Sequence, residues 1–190
     1  SAFLLNRSSD LKGARAAGIK TNLEMCSLPA PRLVEVATTC FGHLDYLIIN
    51  DFEVAALAQR PVRHDEDVDL RDCLKNAKDV FERSSMELLV VHFPQGAIAM
   101  QRGADPLVTQ SAAVPKEAIA GSNGAGDAFA SGILYGMHEG EPLHDALQLA
   151  HASAAASMRH IGTTDSIERW QDCLALARGY GPRSELELPD

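Results

Sequence analysis

Residues 120–132 read AGSNGAGDAFASG, which puts Gly121, Gly124 and Gly126 within six positions and Asp127 directly after the last of them. Glycine lets a backbone aim its N–H groups at a ligand with no Cβ in the way. The residues that follow, 125–140, carry helical spacing, so the glycines stand before a helix whose first N–H groups lack intrahelical partners and bear partial positive charge. A junction of this kind is an anion hole, in which the amides of Gly124, Ala125 and Gly126 stabilise the charge on a phosphoryl group in transfer. Asp127 lies beside it, where a carboxylate can accept the proton of an attacking hydroxyl. A plainer reading stands next to this one: Asp127 complements the helix dipole, at about 0.3–1 kcal/mol, and the glycines only shape a turn.

Upstream of this junction, helix and strand alternate. Apolar periodicity predicts a helix over 10–19, a strand over 20–27, a helix over 31–44 and a compact strand over 45–50. A short helix over 52–59, a longer amphipathic one over 68–85 and a buried strand over 87–93 follow, then two short strands over 96–103 and 105–114 that read as a hairpin. The runs YLII and LLVV are apolar on both faces, as strands of a parallel sheet covered by helices must be. The fold class expected is α/β, a doubly wound, mostly parallel sheet with helices on both faces, formed by residues 1–190 as one unit. After the glycines come three helical stretches, 125–140, 142–160 and 166–180, whose alanine and glycine content implies close packing. Residues 60–67, RPVRHDED, are expected to form an exposed, mobile loop.

Composition removes several classes of function. A formal charge of −9 with no basic stripe argues against nucleic acid, and no apolar run approaches the roughly 20 residues of a membrane helix. Cys26, Cys40, Cys73 and Cys173 lie in separate segments without a C-x-x-C pair, which favours reduced thiols and a cytoplasmic setting. The histidines, among them His144, His151 and His160, lack metal-ligand spacing and read as ordinary core or surface residues. The closing ELELPD reads as a solvated acidic tail.

The stretch GSNGAGDAFASG resembles the C-terminal signature of the ribokinase-like, PfkB-type carbohydrate kinases, usually written D-[TS]-x-G-A-G-D-x-F. The resemblance implies that Asp127 is the catalytic base, that Gly124, Ala125 and Gly126 form the anion hole, and that Ser122 and Asn123 lie at the nucleotide. LIINDFEVAAL is similar to the family's strand followed by N-x-x-E, implying that Asn50 and Glu53 organise Mg²⁺ and phosphates largely through water. Taken alone, Asn50 would be a strand-end turn residue and Glu53 a solvated helix charge. LLVVHFPQGAIAM resembles the strand and turn beside the nucleotide, with Gly96 and Ala97 in place but Val91 and Phe93 replacing the usual Thr and Gly. His92 in that strand either supplies a polar contact or is a strand-end histidine without a role. ALQLAHASAAASM resembles the helix near the adenine, and His151, where the family often has Asn, reads equally as a nucleotide contact and as a core residue. The first Asp of the signature, which commonly helps to bind an activating monovalent cation, is Gly121 here, which argues against potassium activation.

The resemblance runs from about residue 16 to about residue 165 and covers the later part of the family's fold, so the expectation is a C-terminal portion without the earlier half or its β-sheet lid. It implies ATP-dependent phosphorylation of a hydroxyl on a sugar or sugar-like molecule, with Mg²⁺. Similar proteins commonly form a homodimer through the lid. Two alternatives remain open: a catalytically silent nucleotide-binding or regulatory module, and a kinase for a nucleoside or vitamin precursor.

Overall fold

Tyr46, Leu47, Ile48 and Ile49 are all buried, so the strand they open, β2 (Tyr46–Asn50), is covered on both faces, as its unbroken apolar run requires. The computed structural model describes residues 2–25, 28–60, 68–183 and 185–188. The expected loop thus lies outside the described residues except for Arg60, and so does Cys26. The chain divides into two compact units, one built from residues up to Phe93 with Ile98–Pro106 and the end of the chain, the other from Pro94–Ala97 with Leu107–Glu187.

The first unit opens with helix α1 (Ala2–Ala16), strand β1 (Asn22–Leu23) and helix α2 (Ala30–Cys40), which runs on into a 3₁₀ turn at Phe41–His43. After β2 come α3 (Asp51–Leu57), α4 (Leu70–Glu82) and β3 (Leu88–Phe93). Strands β1, β2 and β3 are parallel, with Asn22 beside Tyr46 and Asn50 beside His92. The strand expected over 20–27 is confined to Asn22–Leu23. Just before it, the buried Asp45 carboxylate accepts from the Thr21 amide at 2.8 Å and the Thr21 hydroxyl at 2.9 Å, with Arg15 3.5 Å away, while the Thr21 carbonyl accepts from the Tyr46 amide at 2.9 Å. Donors of this kind offset the cost of burying a carboxylate.

Strand β4 (Gly96–Gln101) follows β3 after the two-residue turn Pro94-Gln95, and β5 (Leu107–Gln110) follows β4. Five strands thus join in chain order, β1-β2-β3-β4-β5, in a mixed sheet whose first three strands are parallel. Arg102, just past β4, donates to the carbonyls of Phe81 and Ser84 at 2.6 Å and of Met86 at 3.0 Å, and its guanidinium lies 3.9 Å from the Phe81 ring centre. It thereby adds a donor to one carbonyl in the last turn of α4 and to two in the segment just beyond it.

The second unit carries α5 (Ala125–Glu139), α6 (Leu143–Ser157) and α7 (Trp170–Tyr180). Its alanines and glycines do what their content implied. A Cβ on Gly132 would come within 2.5 Å of the Ala150 Cα, and one on Gly136 within 2.6 Å of the Ala146 Cβ, so α5 and α6 come closest where glycine faces alanine. Helix α7 begins at Trp170, not Ser166, because Ser166 turns its hydroxyl to the Ala156 carbonyl at 2.6 Å and its own carbonyl to Arg159. Cys40, Cys73 and Cys173 are free and buried, and burial pushes the Cys73 thiol up to about 12. These thiols are packing groups. In the acidic tail Glu185 and Glu187 are exposed, and Leu186 packs over Gly96.

Candidate functional site

The glycine loop of the second unit ends in a left-handed residue. Gly124 is the N-cap of α5 at φ 78°, ψ 0°, a conformation that favours glycine, and no side chain caps this helix. The Ala125 amide donates to the Ser122 carbonyl at 3.2 Å and the Ala128 amide to the Gly124 carbonyl at 2.8 Å. Between them, the amides of Gly126 and Asp127 have no protein acceptor among the described residues. Of the three amides singled out in the sequence, that of Ala125 is taken up by the loop itself, while those of Gly124 and Gly126 have no protein acceptor among the described residues. Asp127 is exposed on the first turn, as are Ser122 and Asn123 in the loop before it.

Upstream, the loop is held by α6: the amides of Ala120 and Gly121 both donate to the Met158 carbonyl, at 2.8 and 3.3 Å. On α6 itself His151 is buried, with 6% exposure, and its Nε2 lies 2.9 Å from the Thr109 hydroxyl. Its ring meets Phe129 edge-on at 5.1 Å between centres. His151 also borders a cavity of about 360 Å³ whose polar lining comes from Gln110, Ser111, Gln148 and Arg178. A cavity of this size, apolar with a few convergent polar groups, suits a planar heterocycle. Thr109 and the polar lining were missed in the sequence; only Gln148, three residues before His151 on the same helical face, offered a signal.

Gly96, also in this unit, has its own structural reason: a Cβ there would run into the Thr109 carbonyl oxygen and lie 2.6 Å from the Leu186 side chain.

In the first unit, Asn50 and His92 stand side by side at the carboxyl ends of parallel strands, the edge at which α/β sheets take ligands. Asn50 and Glu53 form a reciprocal pair. The Asn50 Oδ1 accepts from the Glu53 amide at 2.8 Å, and the Glu53 carboxylate accepts from the Asn50 amide at 2.9 Å through Oε2. This is a capping box, and Glu53 is half-buried within it, not a solvated helix charge. Burial pushes the Glu53 carboxyl up, the Asn50 amide partly offsets this, and the neighbouring Asp51 carboxylate adds to the rise. Asp51 is itself pushed up by burial. Among the described residues no three His, Cys, Asp or Glu side chains cluster as a metal cage. One carboxylate with a second beside it fits Mg²⁺ as this ion is usually held, through water and substrate phosphates, and does not fit a tightly bound resident metal.

Comparison with known proteins identifies the family. Residues 3–170 match the family described as pfkB family carbohydrate kinase. Among relatives, an adenosine kinase of Schizosaccharomyces pombe is 29% identical over 131 residues, 68% of this chain and 38% of that protein. An acarbose 7(IV)-phosphotransferase of Actinoplanes sp. is 33% identical over 87 residues, 45% of this chain and 29% of that protein. Among solved structures, Arabidopsis thaliana ribokinase complexed with ribose and ATP superposes with a TM-score of 0.70 at 19% identity, over 88% of this chain and 50% of that one. The chain thus spans less than two fifths of either sequence relative and half of the ribokinase.

Proposed function

The chain belongs to the pfkB family of carbohydrate kinases, and we propose that it carries the phosphoryl-transfer machinery of an ATP-dependent kinase acting on a hydroxyl of a sugar or sugar-like molecule. The observation that carries this reading is the start of α5: a left-handed, uncapped Gly124, open amides on Gly126 and Asp127, and an exposed carboxylate on the same turn. Asp127 takes the hydroxyl proton as the acceptor oxygen bonds to the γ-phosphorus. The bond to the leaving oxygen of ADP breaks, and the open amides stabilise the charge on the equatorial oxygens. Asn50 and Glu53 are the groups that would hold a water-coordinated Mg²⁺, which when bound neutralises phosphate charge. The cavity beside His151 takes the base, with Gln110, Ser111 and Gln148 as its polar readers.

Asp127→Asn in the full-length protein tests this. Turnover should fall about 100-fold or more through loss of the general base, while Mg·ATP still raises the melting temperature. Turnover near that of the unaltered enzyme would return Asp127 to a helix-dipole role.

A second reading, a silent nucleotide-binding module, draws on Asn50 and Glu53 satisfying each other in the capping box and on Val91 and Phe93 at the nucleotide strand. Mg·ATP protection without ATP consumption across a panel of sugars and nucleosides would favour it. The adenosine kinase relative makes nucleosides a necessary part of that panel.

A further inference from the structure

The left-handed turn in front of the uncapped α5 is closed by two backbone bonds of its own, Ala125 to Ser122 and Ala128 to Gly124, and by no side chain, so packing from outside adds to what holds its shape. The stretch after α6 supplies that packing. A Cβ built on Gly124 would lie 2.8 Å from the Thr163 Cβ, 3.0 Å from its Cγ2 and 3.2 Å from its Cα, which means that Thr163 already fills the side of Gly124 where any side chain would go. Both its backbone and its β-carbon are involved, so the contact cannot be relieved by swinging the end of a flexible side chain.

The segment presenting Thr163 is itself fixed at both ends. On one side the Gly162 amide donates to the His160 Nδ1 at 3.0 Å. On the other, the Arg159 guanidinium donates to the Ser166 carbonyl at 3.0 Å and pairs with Glu168 at 3.0 Å, and the Ser166 hydroxyl closes on the Ala156 carbonyl. The Met158 carbonyl, immediately before this segment, receives the amides of Ala120 and Gly121. The glycine loop is therefore gripped at its start by Met158 and at its end by Thr163, and the open amides of Gly126 and Asp127 follow directly from the gripped residue.

We infer that Thr163 is a positioning residue for phosphoryl transfer: its side chain packs on Gly124 and holds the left-handed turn that aims the first amides of α5. Thr163 is exposed on its other side, and no hydrogen bond of its hydroxyl enters the argument. The inference rests on the phosphoryl-transfer reading of this turn, and its test separates the two.

Three variants of the full-length protein decide it, Thr163→Gly, Thr163→Ala and Thr163→Val, read by kinetics and by hydrogen exchange of the peptide spanning 121–127. Valine keeps the packing shape and removes the hydroxyl; glycine removes both. Thr163→Gly should lower kcat about 10- to 100-fold with little change in KM for ATP or acceptor, since misplacement of a catalytic turn costs this much. Exchange across 121–127 should accelerate while peptides of α6 stay unchanged. Thr163→Ala should fall between, and supplies the same readings should the glycine variant not fold. Thr163→Val should restore both kcat and protection. Glycine and alanine variants with unaltered exchange and kcat overturn the inference. So does a valine variant as slow as the glycine one, because the hydroxyl would then act on the reaction itself. If the unaltered protein turns over no acceptor, the kinase reading fails while the exchange measurement still decides whether Thr163 holds the turn.

Discussion

The chain makes two turns into helices from residues that resemble family motifs, and they treat their amides in opposite ways. At Asn50 the turn is self-contained: the Asn50 side chain takes the Glu53 amide and the Glu53 carboxylate takes the Asn50 amide. At Gly124 no side chain returns to the backbone, and the amides of Gly126 and Asp127 have no protein acceptor among the described residues. A helix start normally gains about 1 kcal/mol from a cap, so a start that forgoes one gives up stability for available donors. The difference teaches where to look for chemistry. A turn that satisfies itself is a structural device first, and a turn whose amides stay open is the one with donors to offer.

The most direct way to break the comparison is to give Gly124 a side chain. Gly124→Ala has both a left-handed backbone and Thr163 against it. Strain of this kind costs about 1–3 kcal/mol. Loss of the aimed donors should lower kcat about 100-fold or more, as removal of a preorganised donor does elsewhere. Urea unfolding and steady-state kinetics measure the two effects. A stable Gly124→Ala enzyme with unaltered turnover would show that the open amides do nothing.

The Asn50 turn yields smaller effects, and they divide. Asn50→Ala removes the cap and should cost about 1 kcal/mol in urea unfolding. Glu53→Gln keeps a capping-box partner, so the fold should hold while Mg·ATP protection weakens. The pH dependence sharpens this. With its folded-state carboxyl raised above the ordinary value by burial, Glu53 contributes stability that is fully present below the unfolded pKa and lost as pH rises through the folded one. The unaltered protein should therefore lose stability from the ordinary glutamate range upward to a greater degree than Glu53→Gln. Asp51, raised likewise, acts in both proteins and cancels in the difference. Melting curves across this range that coincide for the two proteins would remove Glu53 from the account.

How much of this was legible depended on how local each cause is. The alternation of helix and strand follows from periodicity, and the tight α5–α6 packing from Gly132 and Gly136 facing alanines, so both could be read. The capping box was also legible, since N-x-x-E is a helix-start signature in its own right, yet the family motif drew the reading towards metal. The start of β1 was not legible, because the Thr21 amide is taken by Asp45, 24 residues further on. Nor were the Thr109–His151 bond, across 42 residues, and the placement of Thr163 against Gly124, because nothing in a linear pattern marks which distant side chain will complete a turn. The identity of the glycine turn was local. Its support was not.

The smallest effect expected is none at all, and it bears on the same turn. Where the family signature has its first Asp, Gly121 offers no carboxylate, and its amide is bound to the Met158 carbonyl. Replacing K⁺ by a large inert cation should therefore leave turnover and nucleotide affinity unchanged within assay error. A strong K⁺ requirement would mean that other groups build a cation site. The geometry allows a complementary test, because a Cβ on Gly121 would meet only the Ile161 Cα at 3.8 Å and the His160 carbonyl at 3.9 Å, both ordinary contacts. Gly121→Asp should thus fold, and a K⁺ response appearing in that variant alone would show that a bound cation and a packed Thr163 are two ways of bracing one loop. A variant that stays indifferent to K⁺ would leave the bracing to the protein, with Met158 and Thr163 sufficient to hold the amides in place.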